Sequence, residues 1–112
     1  MEIISASAGM DGGKIFQLTQ GSADRRVKDS EGMRFTIADY VLYTDEDKAT
    51  GEVRKKLIIV TADGDSIATN SATAINTFTA MLACFPLPIP DVEVVRDTNP
   101  RTGRTFFNFK LA

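Results

Sequence analysis

Apolar and polar positions alternate most clearly from Val92 to Leu111. Two strand-like runs there flank a segment with Asn99, Pro100 and Gly103, which predicts a β-hairpin with a longer loop. Successive side chains of a strand point to opposite faces. Thr105, Phe107, Phe109 and Leu111 therefore form one face, apolar enough to be core. Arg104, Phe106, Asn108 and Lys110 form the other, with one ring among two cations. A base stacks on such a ring while the cations meet its phosphates. The same pattern also suits a strand buried on both faces, with Arg104 and Lys110 reaching solvent at its ends.

Earlier in the chain, Met1 to Gly13 holds a short β-compatible run, Glu2 to Ser5, and reads as a loose arm or a short first pairing segment. Lys14 to Thr19 is a strand candidate. Gln20 to Gly32 is polar and without periodicity, hence a surface loop. Its cations Arg25, Arg26 and Lys28 are either simply solvated or a clamp for a phosphate backbone. Met33 to Tyr43 is the longest strand candidate, with Phe35, Ile37, Val41 and Tyr43 of one parity and Arg34, Thr36, Ala38 and Tyr40 of the other. A polar connection, Thr44 to Glu52, leads to a strand over Val53 to Ala62 that opens on Arg54, Lys55 and Lys56 and becomes wholly apolar. Asp63-Gly64 marks a tight turn, and Ser66 to Thr69 briefly resumes as strand. Ser71 to Phe85 has Ile75, Phe78, Leu82 and Phe85 at helical spacing, with Met81 beside them. Asn70 or Ser71 caps its start, and Pro86, Pro88 and Pro90 forbid its continuation. Its near absence of charge predicts a helix that is largely buried or plugs an opening.

The order β-β-β-α-β-β predicts an OB-fold-like, five-stranded Greek-key barrel, its helix between the third and fourth strands. The 112 residues make one domain, 1–112, with 1–13 as the arm. A hydrophobic share of 43% and a charged share of 25% are those of a soluble globular protein. No apolar run approaches the ~18 residues of a membrane span, and the N-terminus lacks the basic and apolar regions of a secretory signal. Cys84, the single cysteine, has no internal disulfide partner, which points to a reducing, intracellular location. Without histidine, the usual zinc sites and the Ser–His and Cys–His nucleophile pairs are excluded. The run from Asp45 starts like a calcium loop, yet Thr50 stands where glycine is needed and Lys56 where the bidentate glutamate is needed. No metal, no cofactor and no enzymatic activity are expected. A net charge of −2 argues against coating duplex DNA but leaves room for a local basic surface. Such a surface would join the rings Tyr40, Tyr43 and Phe106 to Arg34, Arg54, Lys55, Lys56, Arg104 and Lys110, the interleaving that single strands require.

These residues bring a family into view. Lys14-Ile15-Phe16 follows a glycine-containing lead, and Glu31-Gly32 opens a long strand that reaches Tyr43. A Thr/Ile-rich strand runs into Ala62-Asp63-Gly64, then come the alanine-bearing helix, Val92 to Val95, and the ending Gly103…Phe106-Phe107-x-x-x-Leu111. From about Lys14 onward the chain resembles the single-stranded-DNA-binding proteins of phi29-like phages. Pro86, Pro88, Pro90 and the acidic tip Asp45 to Asp47 depart from that pattern. The resemblance implies an OB-like fold and sequence-independent binding of displaced single strands during phage DNA replication, in the cytoplasm of the infected bacterial host. It also implies that Tyr43 stacks on a base. The other reading is a non-enzymatic phage structural or protein-interaction module on the same small barrel. Without an acidic run in its last residues, recruitment of partners through such a tail is not expected, and self-association is left open.

Overall fold

A computed structural model describes residues 1–112. In chain order the elements are β1 (Glu2–Ala6), α1 (Gly12–Gln20), β2 (Arg25–Arg26), a 3-10 turn (Val27–Asp29), β3 (Arg34–Glu46), β4 (Val53–Thr61), β5 (Ser66–Thr69), α2 (Ala72–Cys84), β6 (Ile89–Thr98) and β7 (Thr105–Leu111). The long strand β3 carries the sheet. β4 pairs antiparallel along most of one side of it. The other side is shared: β6 takes the first part, with Phe35 opposite Val92, and β1 takes the second, with Ile3 opposite Tyr43. The strand order is β2-β5-β4-β3-β6-β7, with β2 the one parallel neighbour. The sheet is mostly antiparallel, curled and open, a half-barrel. Seven strands are present rather than the expected five: Glu2–Ala6 and Arg25–Arg26 both pair and Ser66–Thr69 is a strand of its own, while Lys14–Thr19 is not a strand.

The inside of the curl holds fourteen buried residues, centred on Phe78 of α2 against Ile37, Tyr40, Leu57, Ile59 and Ile67. The Phe78 and Tyr40 rings meet edge to face at 5.1 Å, a favoured arrangement for their quadrupoles. α2 starts where the Ser71 hydroxyl accepts the Ala74 N–H, and it ends just before Pro86. Only one stripe of it is buried: Ala74, Ile75, Phe78 and Met81. Thr73, Asn76, Ala80 and Ala83 face solvent. The expectation of a largely buried helix is thus corrected, since its uncharged outer face is built of small residues. No helix is long and apolar enough to cross a membrane.

The outside of the curl carries a second, smaller cluster of Met10, Val41, Tyr43 and Ile58, with Ile15 and Leu18 of α1 packed on it. The predicted strand over Lys14 to Thr19 is therefore a helix. The Asp11 carboxylate accepts the Lys14 N–H at 2.8 Å and caps it. Ile15 and Leu18, three apart, give it a binding face. At Gly21 a Cβ would lie 2.6 Å from the Gln17 carbonyl oxygen, so glycine lets the chain leave. The assignment of Gln20 to Gly32 as plain loop also needs correction. β2 pairs with β5, and the following 3-10 turn packs on both β5 and β7 with Val27 buried. This strap stands in the gap where the sheet fails to close.

β3 is bulged between Ile37 and Asp39. A bulge inserts one residue and reverses the facing of everything beyond it. Ile37 faces inward, but Val41 and Tyr43 face outward and Tyr40 and Leu42 inward. The single parity expected for Phe35, Ile37, Val41 and Tyr43 is broken there.

Candidate nucleic-acid interface

One cleft of about 450 Å³ runs between the strap, the start of α2 and the edge of β7. Its basic side chains are Arg26 and Lys28 from the strap and Lys56 from β4. Its rings are Tyr43, Phe106 and Phe107. Asn70 and Ser71, ahead of α2, supply uncharged polar groups. Fifteen residues line the cleft and none is a carboxylate, in a chain where fifteen acids outnumber thirteen bases. An acid-free, cation-bearing wall beside apolar rings suits an anion with a flat apolar part.

The strap holds its cations in place through a knot of hydrogen bonds. The Asp24 carboxylate accepts from the Ser66 N–H at 3.0 Å and from its hydroxyl at 3.2 Å, while the Ser66 Oγ accepts the Asp24 N–H at 2.9 Å. Arg25 Nε meets the Asp65 carboxylate at 3.1 Å, and the Ser30 hydroxyl donates to the Arg26 carbonyl. Arg26 and Lys28, on either side of buried Val27, are left without an acidic partner.

Five of the twelve residues anticipated from sequence meet in this cleft: Arg26, Lys28, Tyr43, Lys56 and Phe106. Lys56 also reaches Asp45 at 3.5 Å, an exposed pair of the kind worth only ~0–1 kcal/mol. Arg54 and Lys55 line an adjoining hollow that shares Asn70, and Arg25 lines another that shares Arg26. Arg54 is engaged with Glu52 at 3.0 Å. Arg34 and Lys110 lie away from the cleft, both held by Glu93, at 2.9 and 4.0 Å. Arg104 sits exposed and unpaired at the β6–β7 hairpin, just before β7.

The two tyrosines depart from their expected roles. Tyr40 is core: its ring packs on Phe78 and its hydroxyl bonds the Ser5 Oγ at 2.6 Å. It presents no face to a base. Tyr43 is only 5% exposed, its ring covered by α1. Its hydroxyl has no protein partner, and since no buried side-chain oxygen is left unpaired, that hydroxyl reaches solvent. Burial, and next the Asp45 carboxylate, raise its pKa above the ordinary tyrosine value, which keeps it a hydrogen-bond donor at neutral pH. Tyr43 thus offers the cleft a hydroxyl rather than a stacking face.

Sequence reasoning missed Phe107, Asn70 and Ser71 as wall residues. Alternation puts Phe107 in the core, and it does pack there on one side, but it sits at the rim on an edge strand with Arg96 5.8 Å from its ring centre. Asn70 and Ser71 were legible only as a helix cap. Comparison of the chain with protein-family models, with curated proteins and with solved structures finds no match.

Proposed function

We propose that this protein binds single-stranded DNA without sequence preference and without catalysis, using the cleft beside the strap. The observation that carries the reading is the cleft's composition: three cations, three aromatic side chains and no acid, against a net-negative chain. Single strands expose both parts that such a wall answers, phosphate charge and the π-faces of unpaired bases. A duplex hides its bases and offers phosphates alone. The succession β5-β4-β3-β6-β7, with α2 entering between β5 and β6, supports reading the half-barrel as OB-like. In that reading the strap occupies the seam that barrel closure would join. The resemblance to phi29-like phage proteins adds the biological setting: displaced strands during phage DNA replication, in the host cytoplasm.

Titration of oligo-dT at two salt concentrations tests this. With phosphate contacts from Arg26, Lys28 and Lys56, log K falls linearly with log salt at about −0.7 per contact, roughly −2 for three. Duplex of the same length binds far more weakly at moderate salt. Equal affinity for duplex and single strand overturns the proposal.

A further inference from the structure

The distribution of rings relative to cations over the whole surface narrows how a strand can sit. The chain has nine aromatic side chains. Phe35, Tyr40, Phe78 and Phe109 belong to the inner core. Phe16 is exposed on α1 and Phe85 just past α2, and neither lines any of the three hollows. Tyr43, Phe106 and Phe107 remain, all in the one cleft. The two adjoining hollows have cations but no ring: Arg54 and Lys55 beside Glu52 in one, Arg25 and Arg26 beside Asp24 and Asp29 in the other. Arg54 is taken by Glu52 and Arg25 by Asp65, which leaves Lys55 and Arg26 free of an ion-pair partner. Both share wall residues with the cleft, Asn70 on one side and Ala23, Arg26 and Ala68 on the other. A strand passing through the three therefore meets at least one unpaired cation in each, Lys55, Lys28 and Arg26, and a stacking partner once.

We infer that the cleft anchors a single base, and that the strand to either side is held through its phosphates alone. This rests on the single-strand reading above and says how it is executed. Binders that stack successive bases need successive rings, and the hollows flanking this cleft have none. A volume of about 450 Å³ lies at the lower part of the ~300–1,000 Å³ range of sites that enclose one compact ligand. Phe106 and Phe107 give the apolar contact, and the solvent-reaching Tyr43 hydroxyl, without a protein partner, is placed to donate a hydrogen bond. Lys28, Arg26 and Lys56 take the phosphates beside the anchored base.

The test uses four strands of equal length, about ten nucleotides, within the site sizes usual for such folds. They are wholly abasic, abasic with one central thymidine, abasic with three central thymidines, and oligo-dT. The first thymidine should raise affinity roughly 5- to 140-fold over the abasic strand, the worth of one base–aromatic stack. The remaining thymidines should add only the small gain expected from more equivalent registers. Phe106→Leu, which keeps an apolar side chain but removes the ring, should erase the first-thymidine gain while leaving abasic binding and its salt slope in place. A similar multiplication of affinity at each added thymidine overturns the single anchor while leaving single-strand binding intact. So does the absence of any gain from bases, or a first-thymidine gain that survives in Phe106→Leu. If oligo-dT itself fails to bind, the proposed function falls and the anchor falls with it.

Discussion

Tyr43 shows how a residue-level expectation and a residue's surroundings come apart. Its ring contributes to the outer cluster, the residue lines the cleft, and its hydroxyl reaches solvent. Burial disfavours the phenolate and so raises the pKa. The folded protein then holds this proton more tightly than the unfolded chain does. That stabilisation is complete below about pH 10, the unfolded value, and is lost as pH rises through the higher folded value. Tyr43→Phe should therefore melt at a temperature less sensitive to pH between about 9 and 11 than the parent. At neutral pH it should bind oligo-dT a few-fold more weakly, the loss of one hydrogen bond worth about 0.5–1.5 kcal/mol. Parallel melting and anisotropy measurements check both, and unchanged affinity removes the hydroxyl from the site. The same scale explains Arg34 and Lys110. Alternation placed them on an exposed face, where they are, but both converge on Glu93. That meeting depends on the register of β3, β6 and β7, in which Arg34 and Lys110 both lie opposite Glu93, and register across distant strands leaves no mark in local periodicity.

Elements were legible where one signal dominated. The β6–β7 hairpin, β4 running into the Asp63-Gly64 turn, and α2 between its Ser71 cap and Pro86 all follow from alternation, turn chemistry and helical spacing. α1 resembles a strand in sequence because the exposed Phe16 beside Ile15 imitates a strand run; the Asp11 cap and the Ile15–Leu18 spacing are the signals that identify it. In β3, Tyr40, Val41 and Tyr43 are all buried, two of them outward and one inward. A strand buried on both sides shows no alternation to betray its bulge. The strap was invisible for another reason: Asp24, forty-two residues from Ser66 in sequence, ties it down through a side chain. Asp24→Ala removes the two carboxylate bonds to Ser66, sparing the one from the Asp24 backbone, and leaves the Ser66 N–H short of a partner, at a cost of about 1–3 kcal/mol. With the strap loosened, Arg26 and Lys28 lose their fixed places, so oligo-dT affinity should drop although neither cation is touched. A variant that is destabilised yet binds as the parent does would place the strand away from the strap.

Across the whole molecule, the sheet has two unequal cores, and the difference predicts the order in which it opens. Inside, the cluster holds fourteen buried residues, among them Phe78, whose side chain is almost wholly enclosed. Outside, α1 has no fully buried residue. It rests on Ile15 and Leu18, both partly exposed, and no side chain of α1 makes a hydrogen bond or ion pair to the sheet. Gly12 and Gly13 in its first turn weaken it further, each by about 1 kcal/mol relative to alanine. Regions with few buried apolar contacts open at lower free energy than the core. Native-state hydrogen exchange should accordingly show the amides from Phe16 to Gln20 opening well before those of β3 and β4, and independently of denaturant at low concentrations. Phe78→Ala should cost about 3–5 kcal/mol and lower protection everywhere. Leu18→Ala should cost about half the ~2–5 kcal/mol of a fully buried leucine, and its effect should be confined to α1 and the outer cluster. Equal protection of α1 and β4, or loss of the inner core's protection in Leu18→Ala, would mean that the two clusters form one cooperative unit and that the helix is as integral to the half-barrel as α2.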